Sequence, residues 1–446
     1  MLKLFLWLRY LRKRKIVLLS IAAVALSVSL LIVVSSLFTG FIHTFEDAAV
    51  LAMGDVVIDP PIKIGKYRQL CERLEQIADV QTATATLSGQ GLLYLGKGNV
   101  RAVSVLGINP VKHAQVTGFK ASLCKQGKLR DGPSFELAGA SGETGGFVGV
   151  GVIARPDEKT DAYDFAQIEK MIGRQVILTT GSSSIRKDGS GVKVRRKTVR
   201  FTVADVAYTG VYYLDRNFVY LPIEQLQAKL YPDEAYPVAD QIRIRLAAGA
   251  RPDRALAAIR GVWELFAGDE LGWSASLIRY TDIMTSREKQ SRYIAEFMKQ
   301  MGILMLVFGV VSFGVVVLVF CILYMIVRLK QKDIAIIKSC GTSSGSVAIL
   351  FVGFGGCIGI VGAGFGTLLG YIITKNINTL EGWVRIIFGL KLWKSSVYMF
   401  NRIPNEINWN WVLVIVASAV VSVSLGALIP AIMAAWTRPV NILRYE

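Results

Sequence analysis

The chain has 446 residues, 52% of them hydrophobic, with a mean hydropathy of +0.45 and a formal net charge of +18. These values exclude an ordinary soluble domain and a chain made only of membrane spans, leaving spans joined to one large polar part. The charge is not a nucleic-acid footprint, because residues 40–298 hold 33 basic and 29 acidic residues while the remaining 18 basic and 4 acidic residues lie beside the apolar runs.

Residues 1–15 mix Leu2, Phe5, Leu6, Trp7 and Leu8 with six basic positions, the pattern of an amphipathic helix lying in a membrane interface. A first apolar run follows at residues 16–38. Three more come at 302–327, 347–373 and 411–436, and none of the four contains a charge. Each is long enough to cross ~30 Å of hydrocarbon, which needs roughly 20 residues. The alternative for the first run, a cleaved signal peptide, fits poorly. The run is longer than an ordinary signal core, and no small-x-small site follows it directly.

The expected layout is an interfacial helix (1–15), a first span (16–39), an extracytoplasmic domain (40–298) and a second span (299–328). A cytoplasmic loop (329–345), a third span (346–373), an outer loop (374–410), a fourth span (411–436) and a cytoplasmic tail (437–446) complete it. Lys3, Arg9, Arg12, Lys13, Arg14 and Lys15 before the first span orient the chain with its N-terminus in the cytoplasm. Arg328, Lys330, Lys332 and Lys338 between spans two and three agree, as do Arg438 and Arg444 at the end. The outer loop does not: it carries Lys375, Arg385, Lys391, Lys394 and Arg402 on the outside.

The external domain reads as mixed α/β in two lobes. DVVIDPP predicts a strand, KYRQLCERLEQIADV a helix with Leu70, Leu74 and Ile77 on one face, and QTATATLSGQGLLYLG and NVRAVSVLGINP two alternating strands. QIRIRL, RPDRALAAIRGVWELF and WSASLIRY repeat a strand–helix–strand order. Residues 46–110 and 240–285 are therefore expected to form a membrane-proximal lobe, with a strand-rich insertion at 111–239. Within the insertion, residues 175–206 predict a long hairpin whose tip, Gly181 to Gly191, holds the turn pair Asp188-Gly189. Lys193, Arg195, Arg196 and Lys197 load its returning strand. They make either a solvated edge guarded against aggregation or a contact for an acidic carrier or anionic headgroups.

No motif in the external domain carries catalysis. GLLYLGKG, from Gly91 to Gly98, has the spacing of a phosphate-binding loop but glycine where a magnesium-binding Ser or Thr must follow the lysine. His43 and His113 are the only histidines and stand in no nucleophile–base arrangement. The acidic pairs Asp157-Glu158 and Asp269-Glu270 read as solvated loops. Of five scattered cysteines, Cys71 and Cys124 are both external and available to pair, and no metal spacing occurs.

Two patterns beside the spans are sharper. Gly355, Gly359, Gly362, Gly366 and Gly370 fall on one helical stripe of the third span, which lets another helix approach closely. VRLKQKDIAIIKSCGTSS predicts a short amphipathic helix between spans two and three, with Ile334, Ile337 and Gly341 on one face, Ala335 and Ile336 beside it, and Gly341 ending it.

KDIAIIKSCGTSSGSV resembles the coupling segment of the FtsX/MacB/Lol superfamily of ABC-transporter permeases. PAIMAAWTRPVNILRYE, VSVLGINP and RIPNEINW resemble stretches of its lipoprotein-releasing LolC/LolE branch, and the one-span, large-domain, three-span layout covers the whole chain. The resemblance implies a permease of the bacterial inner membrane that is not an enzyme and binds no cofactor. A separate ABC ATPase in two copies would use ATP and magnesium, docking at Lys332, Asp333, Ile334, Ala335, Ile336, Ile337, Lys338 and Gly341. It further implies a second permease (the same chain or a sister), a lipoprotein substrate whose acyl chains enter beside spans one and two, a periplasmic carrier and surrounding membrane lipids. An FtsX-like regulator of cell-wall hydrolases and a MacB-like efflux permease are the alternatives within the superfamily.

Overall fold

The computed structural model describes residues 15–96, 98–137, 144–157, 160–185, 192–234, 236–389 and 391–437. The interfacial helix expected at residues 1–15 lies outside them but for its last residue. The chain divides into two compact units, one of residues 1–43, 293–380 and 403–446, the other of 44–292 and 381–402. The main helices in chain order are α1 (Lys15–Met53), α2 (Tyr67–Glu75), α3 (Pro252–Asp269), α4 (Ser291–Leu329) and α5 (Gln331–Ser339). They are followed by α6 (Ser344–Lys375), α7 (Ile377–Phe388), α8 (Trp409–Gly426) and α9 (Leu428–Trp436).

Among the described residues four stretches are long and apolar enough to cross a membrane: Ile16–Met53, Ile294–Leu329, Ser344–Lys375 and Trp409–Trp436. The first extends well past its apolar run, because nothing in FEDAAVLAM breaks a helix until Gly54, which takes φ +82°. The fourth is expected as one helix but is interrupted at Ala427. Pro430 is the cause, since it has no N–H to continue the ladder back to Gly426.

In the span unit the core is Val17, Val24, Val28 and Ile32 of α1 packed with Leu323, Ile326, Phe354, Ile358, Val423 and Ala431. RIPNEINW laces the end expected to face outward. Asn378 and Ile403 exchange hydrogen bonds through the Asn378 side chain, Asn405 Nδ2 donates to the Thr374 carbonyl at 2.7 Å, and Glu406 meets His43 Nδ1 at 2.6 Å. Gly40 must be glycine there: a Cβ would stand 2.8 Å from the Glu406 nitrogen. Asn408 then caps α8 by accepting from Asn410 and Trp411.

The second unit, the one expected outside the membrane, is built on one mixed sheet. Its strands are β1 (Val56–Asp59), β2 (Ile64–Gly65), β3 (Val80–Tyr94), β4 (Val100–Ile108), β5 (Gly145–Gly149), β6 (Gln175–Ile185), β7 (Val192–Ala207), β8 (Phe218–Pro222), β9 (Val238–Ala239), β10 (Gln241–Leu246) and β11 (Asp282–Thr285). The order is β11-β1-β10-β3-β4-β8-β5-β7-β6, with β2 and β9 forming a separate pair. β3 serves twice. Residues 80–86 pair with β10, residues 87–94 pair with β4, and residues 91–94 pair on the other edge with β6. The β3–β6 pairing closes a six-stranded ring, filled by alternate side chains such as Leu93, Val105, Leu178, Phe201, Val203 and Leu221. α2 and α3 cover the open part through Leu70, Leu74, Ile259, Trp263 and Phe266.

The lobe boundary therefore falls inside β3 and not after residue 110. The second half of β3 and all of β4 belong with the strand-rich part, because β4 pairs in parallel with β8 from Ser104↔Phe218 to Ile108↔Pro222. Such a long-range pairing leaves no local mark in sequence. WSASLIRY is also not a strand: Ala275–Arg279 is a short helix, and the edge strand is β11, three residues further on.

Candidate functional site

α5 is fastened to the span bundle along one side. Ile334 (5% exposed) and Ala335 (0%) are buried, Ile334 in the core shared with Ile326 and Ala434. Lys338 Nζ donates to the carbonyls of Ala435 at 2.7 Å and Thr437 at 2.9 Å, satisfying oxygens that the end of α9 leaves without helical partners. Lys330 pairs with Asp333, Gly341 turns the chain at φ +92°, and Ser343 caps α6 by accepting from Ser346 N.

The other side of α5 is open. Ile336 is 53% exposed and Ile337 43%. This corrects the expected partner-facing set: Ile334, Ala335 and Lys338 hold the helix in place, and the presented apolar pair is Ile336–Ile337, beside exposed Lys332. The inward turn is set by α9, which helical periodicity within α5 cannot show.

All five glycines of the predicted stripe are buried in α6, and each faces another helix of the same chain. Gly355 and Gly359 face Ala427, Val423 and Val420. A Cβ on Gly362 would stand 2.8 Å from Val24 Cβ, one on Gly366 2.7 Å from the Ala25 carbonyl oxygen, and one on Gly370 3.1 Å from Ile32 Cβ. One stripe thus admits α8 and α9 at its start and α1 further along.

In the external unit, the predicted basic hairpin is β6–β7. Its register runs from Gln175↔Thr202 to Ile185↔Val192, and most of the expected tip lies outside the described residues. Lys193 and Arg195 pair with Ser184 and Ser182, while Arg196 and Lys197 pair with Gly181 and Thr180. Exposed Arg196 lines a groove of about 690 Å³ with Gln90, Leu92, Ser104 and Thr179.

Sequence reasoning missed a second constellation. Asp161 is only 8% exposed and sits at φ +51°. Its Oδ2 accepts from Ser395 N and Ser395 Oγ, each at 2.7 Å, and meets Lys391 Nζ at 3.3 Å. Nearby Tyr212 N donates to Met399 O, Val211 bridges Phe400, and Asn401 bonds Tyr208. Residues 391–401, expected as plain loop, form a strap on the external domain. Spacing offers no signal for it, since Asp161 and Lys391 are 230 residues apart and Tyr208 and Asn401 are 193 apart.

Asp215 holds the turn that receives this strap, accepting from Thr209 N, Thr209 Oγ1 and Gly210 N. Burial pushes its carboxyl up to about 6, although these hydrogen bonds oppose the shift. In the unfolded chain the group titrates near 3.8, so between the two values the native state binds more protons. Stability is expected to fall by about 3 kcal/mol as pH rises from about 4 to about 6, then to level off. Thermal midpoints of the detergent-solubilised chain across that range, beside Asp215→Asn, test this; the variant should lose the slope.

Cys71 and Cys124 are both free thiols, and burial pushes them up to about 12 and about 11, so neither is a ready thiolate at neutral pH. Among the described residues no three His, Cys, Asp or Glu side chains gather as a metal site.

A family model described as the MacB-like periplasmic core domain matches residues 17–262, more than half the chain, and one described as the FtsX-like permease C-terminal matches residues 305–439. The chain belongs to the FtsX/MacB superfamily of permeases, in its LolC/LolE branch. The lipoprotein-releasing system transmembrane protein LolC of Neisseria meningitidis is 26% identical over 454 aligned positions, covering 98% of each chain. The corresponding LolE of Haemophilus influenzae is 31% identical over 31% of this permease and 33% of its own length. LolC of Xylella fastidiosa is 34% identical over 27% and 30%. Among solved structures, the extracellular domain of the Gram-positive transporter YknZ aligns with a TM-score of 0.30 at 12% identity, over 52% of this permease and 99% of that domain.

Proposed function

We propose that this permease is the membrane subunit of an ABC transporter that takes lipoproteins from the outer leaflet of the inner membrane and passes them to a periplasmic carrier. Two copies of a separate ATPase drive it, and a second permease completes the assembly. The observation that carries the reading is α5. Ile334, Ala335 and Lys338 fix this helix to the spans while Ile336 and Ile337 stay open, as a lever moved by another protein requires.

The spans suit a lipid-anchored cargo. α1 and α4 touch through Ser27 Oγ and Ser312 Oγ at 2.8 Å and through the rings of Phe41 and Phe297 at 4.8 Å. Between residues 301 and 318 α4 is widely exposed, with Ile303, Leu306, Val310 and Phe313 uncovered for acyl chains or a second permease. Drawing acyl chains from a bilayer costs ~0.8 kcal/mol per methylene, so release needs an external energy source. The permease itself then has only to transmit motion.

The double variant Ile336→Glu/Ile337→Glu is expected to lower co-purification of the ATPase at least ~10-fold, since each exposed isoleucine contributes about 1.5–3 kcal/mol when buried by a partner. Gel filtration should show the spans intact, because neither side chain packs on them. A variant that retains its ATPase at the unmutated level would refute the lever reading. Mass spectrometry of the same preparation identifies the cargo: acylated lipoproteins support release, whereas a cell-wall hydrolase without lipoprotein supports a regulator.

A further inference from the structure

The outer loop's basic residues contradict the orientation rule, and α7 accounts for them. We infer that α7 is an interfacial helix lying in the outer boundary of the bilayer, with Trp383, Ile386 and Ile387 against lipid.

Chain geometry fixes where α7 begins. At the outer ends of α6 and α8, Tyr371 and Trp409 stack with centroids 6.2 Å apart, and the Lys375 ammonium lies 5.7 Å from the Tyr371 ring. Amphipathic rings and a lysine at span ends mark the headgroup level. Only Asn376 separates Lys375 from the first residue of α7, so the helix starts at that level.

Its faces then suit the boundary. At 100° per residue, Leu380, Trp383, Val384, Ile386 and Ile387 share one broad side, while Asn378, Glu381 and Arg385 share the other. No residue of α7 is buried, and Ile386 is 79% exposed, with Trp383, Ile387 and Phe388 also open. Gly389, at φ +65°, ends the helix before the strap begins. Trp383, Ile386 and Ile387, three large apolar side chains within five residues, form a patch that water does not favour.

Lipid suits this patch better than a protein does. The helix that carries the patch follows the third span after a single residue, and the cations near it in sequence complement anionic headgroups. Lys391 is already used by Asp161, while Lys375 lies beside the Tyr371 ring at the span end and Arg385 is exposed on α7. Their charge serves headgroup contact and does not contradict the orientation set by the N-terminal cluster. The inference rests on the span reading and not on the cargo.

The test uses the full chain with its five native cysteines replaced, reconstituted in phosphatidylethanolamine–phosphatidylglycerol nanodiscs. A bimane is placed in turn on Ile386→Cys, Ile387→Cys, Arg385→Cys and, as the span reference, Leu368→Cys. Quenchers are a lipid nitroxide near the headgroup end of the acyl chain and aqueous iodide. Ile386 and Ile387 should be quenched by the nitroxide to at least about half the extent at Leu368 and little by iodide, with Arg385 reversed. Iodide quenching at Ile386 and Ile387 would mean a water-facing helix, and protection from both quenchers would mean a protein cover such as a second copy. Either overturns the inference. A Leu368 label silent to the nitroxide would instead overturn the span reading, and this one with it.

Discussion

Gly366→Leu should dismantle the span bundle, whereas Gly364→Leu, two residues away on the same helix, should leave it intact. At Gly366 the first added carbon meets the Ala25 carbonyl oxygen at 2.7 Å and Val28 Cβ at 2.8 Å; at Gly364 nothing lies within 4 Å. The obstacle at Gly366 is backbone, which cannot rotate away, so α1 and α6 must separate. Overpacking typically costs 1–3 kcal/mol, and a leucine against a helix backbone belongs at or above about 3 kcal/mol. The exposed site should stay within about 0.5 kcal/mol. Gel filtration and thermal melting in mild detergent read both variants. If Gly366→Leu elutes and melts like the unmutated permease, the glycine seam does not hold α1 to α6.

The second large effect is expected at Asp161. Asp161→Ala leaves the Lys391 ammonium, whose side chain is 11% exposed, without its carboxylate and removes both acceptor contacts to Ser395. Breaking one partner of a buried pair typically costs 3–5 kcal/mol because the remaining charge is uncompensated. Lys391→Met should cost less, since Asp161 keeps its bonds from Ser395. The double variant should recover part of the loss that Asp161→Ala causes. Hydrogen exchange of the full chain reads this locally: the Ser395 amide and its neighbours through Asn401 should exchange at least ~10-fold faster in Asp161→Ala. Unchanged exchange would show that the strap is held by other contacts.

How much of this was legible depends on the range of the interaction. The four apolar runs, the Gly355–Gly370 stripe and the short helix around Ile334 are local, and helical periodicity is enough to find them. The ring closed by β3–β6 and the parallel β4–β8 pair join segments far apart in the chain, and each strand reads the same whether the sheet is open or closed. Ile334 and Ile337 look alike on a helical wheel; only α9 makes one of them internal. The basic loop seemed anomalous because topology rules treat charges as free, while Lys391 is bound to Asp161.

The most direct test of lipoprotein release places the permease and its co-purified ATPase in vesicles with a fluorescent acylated lipoprotein, and measures transfer of the label to a soluble carrier. Transfer that requires ATP, and that Ile336→Glu/Ile337→Glu abolishes while the vesicles stay intact, is the expected result. An ATPase that binds and turns over while the lipoprotein stays in the membrane, with carrier present, would contradict it.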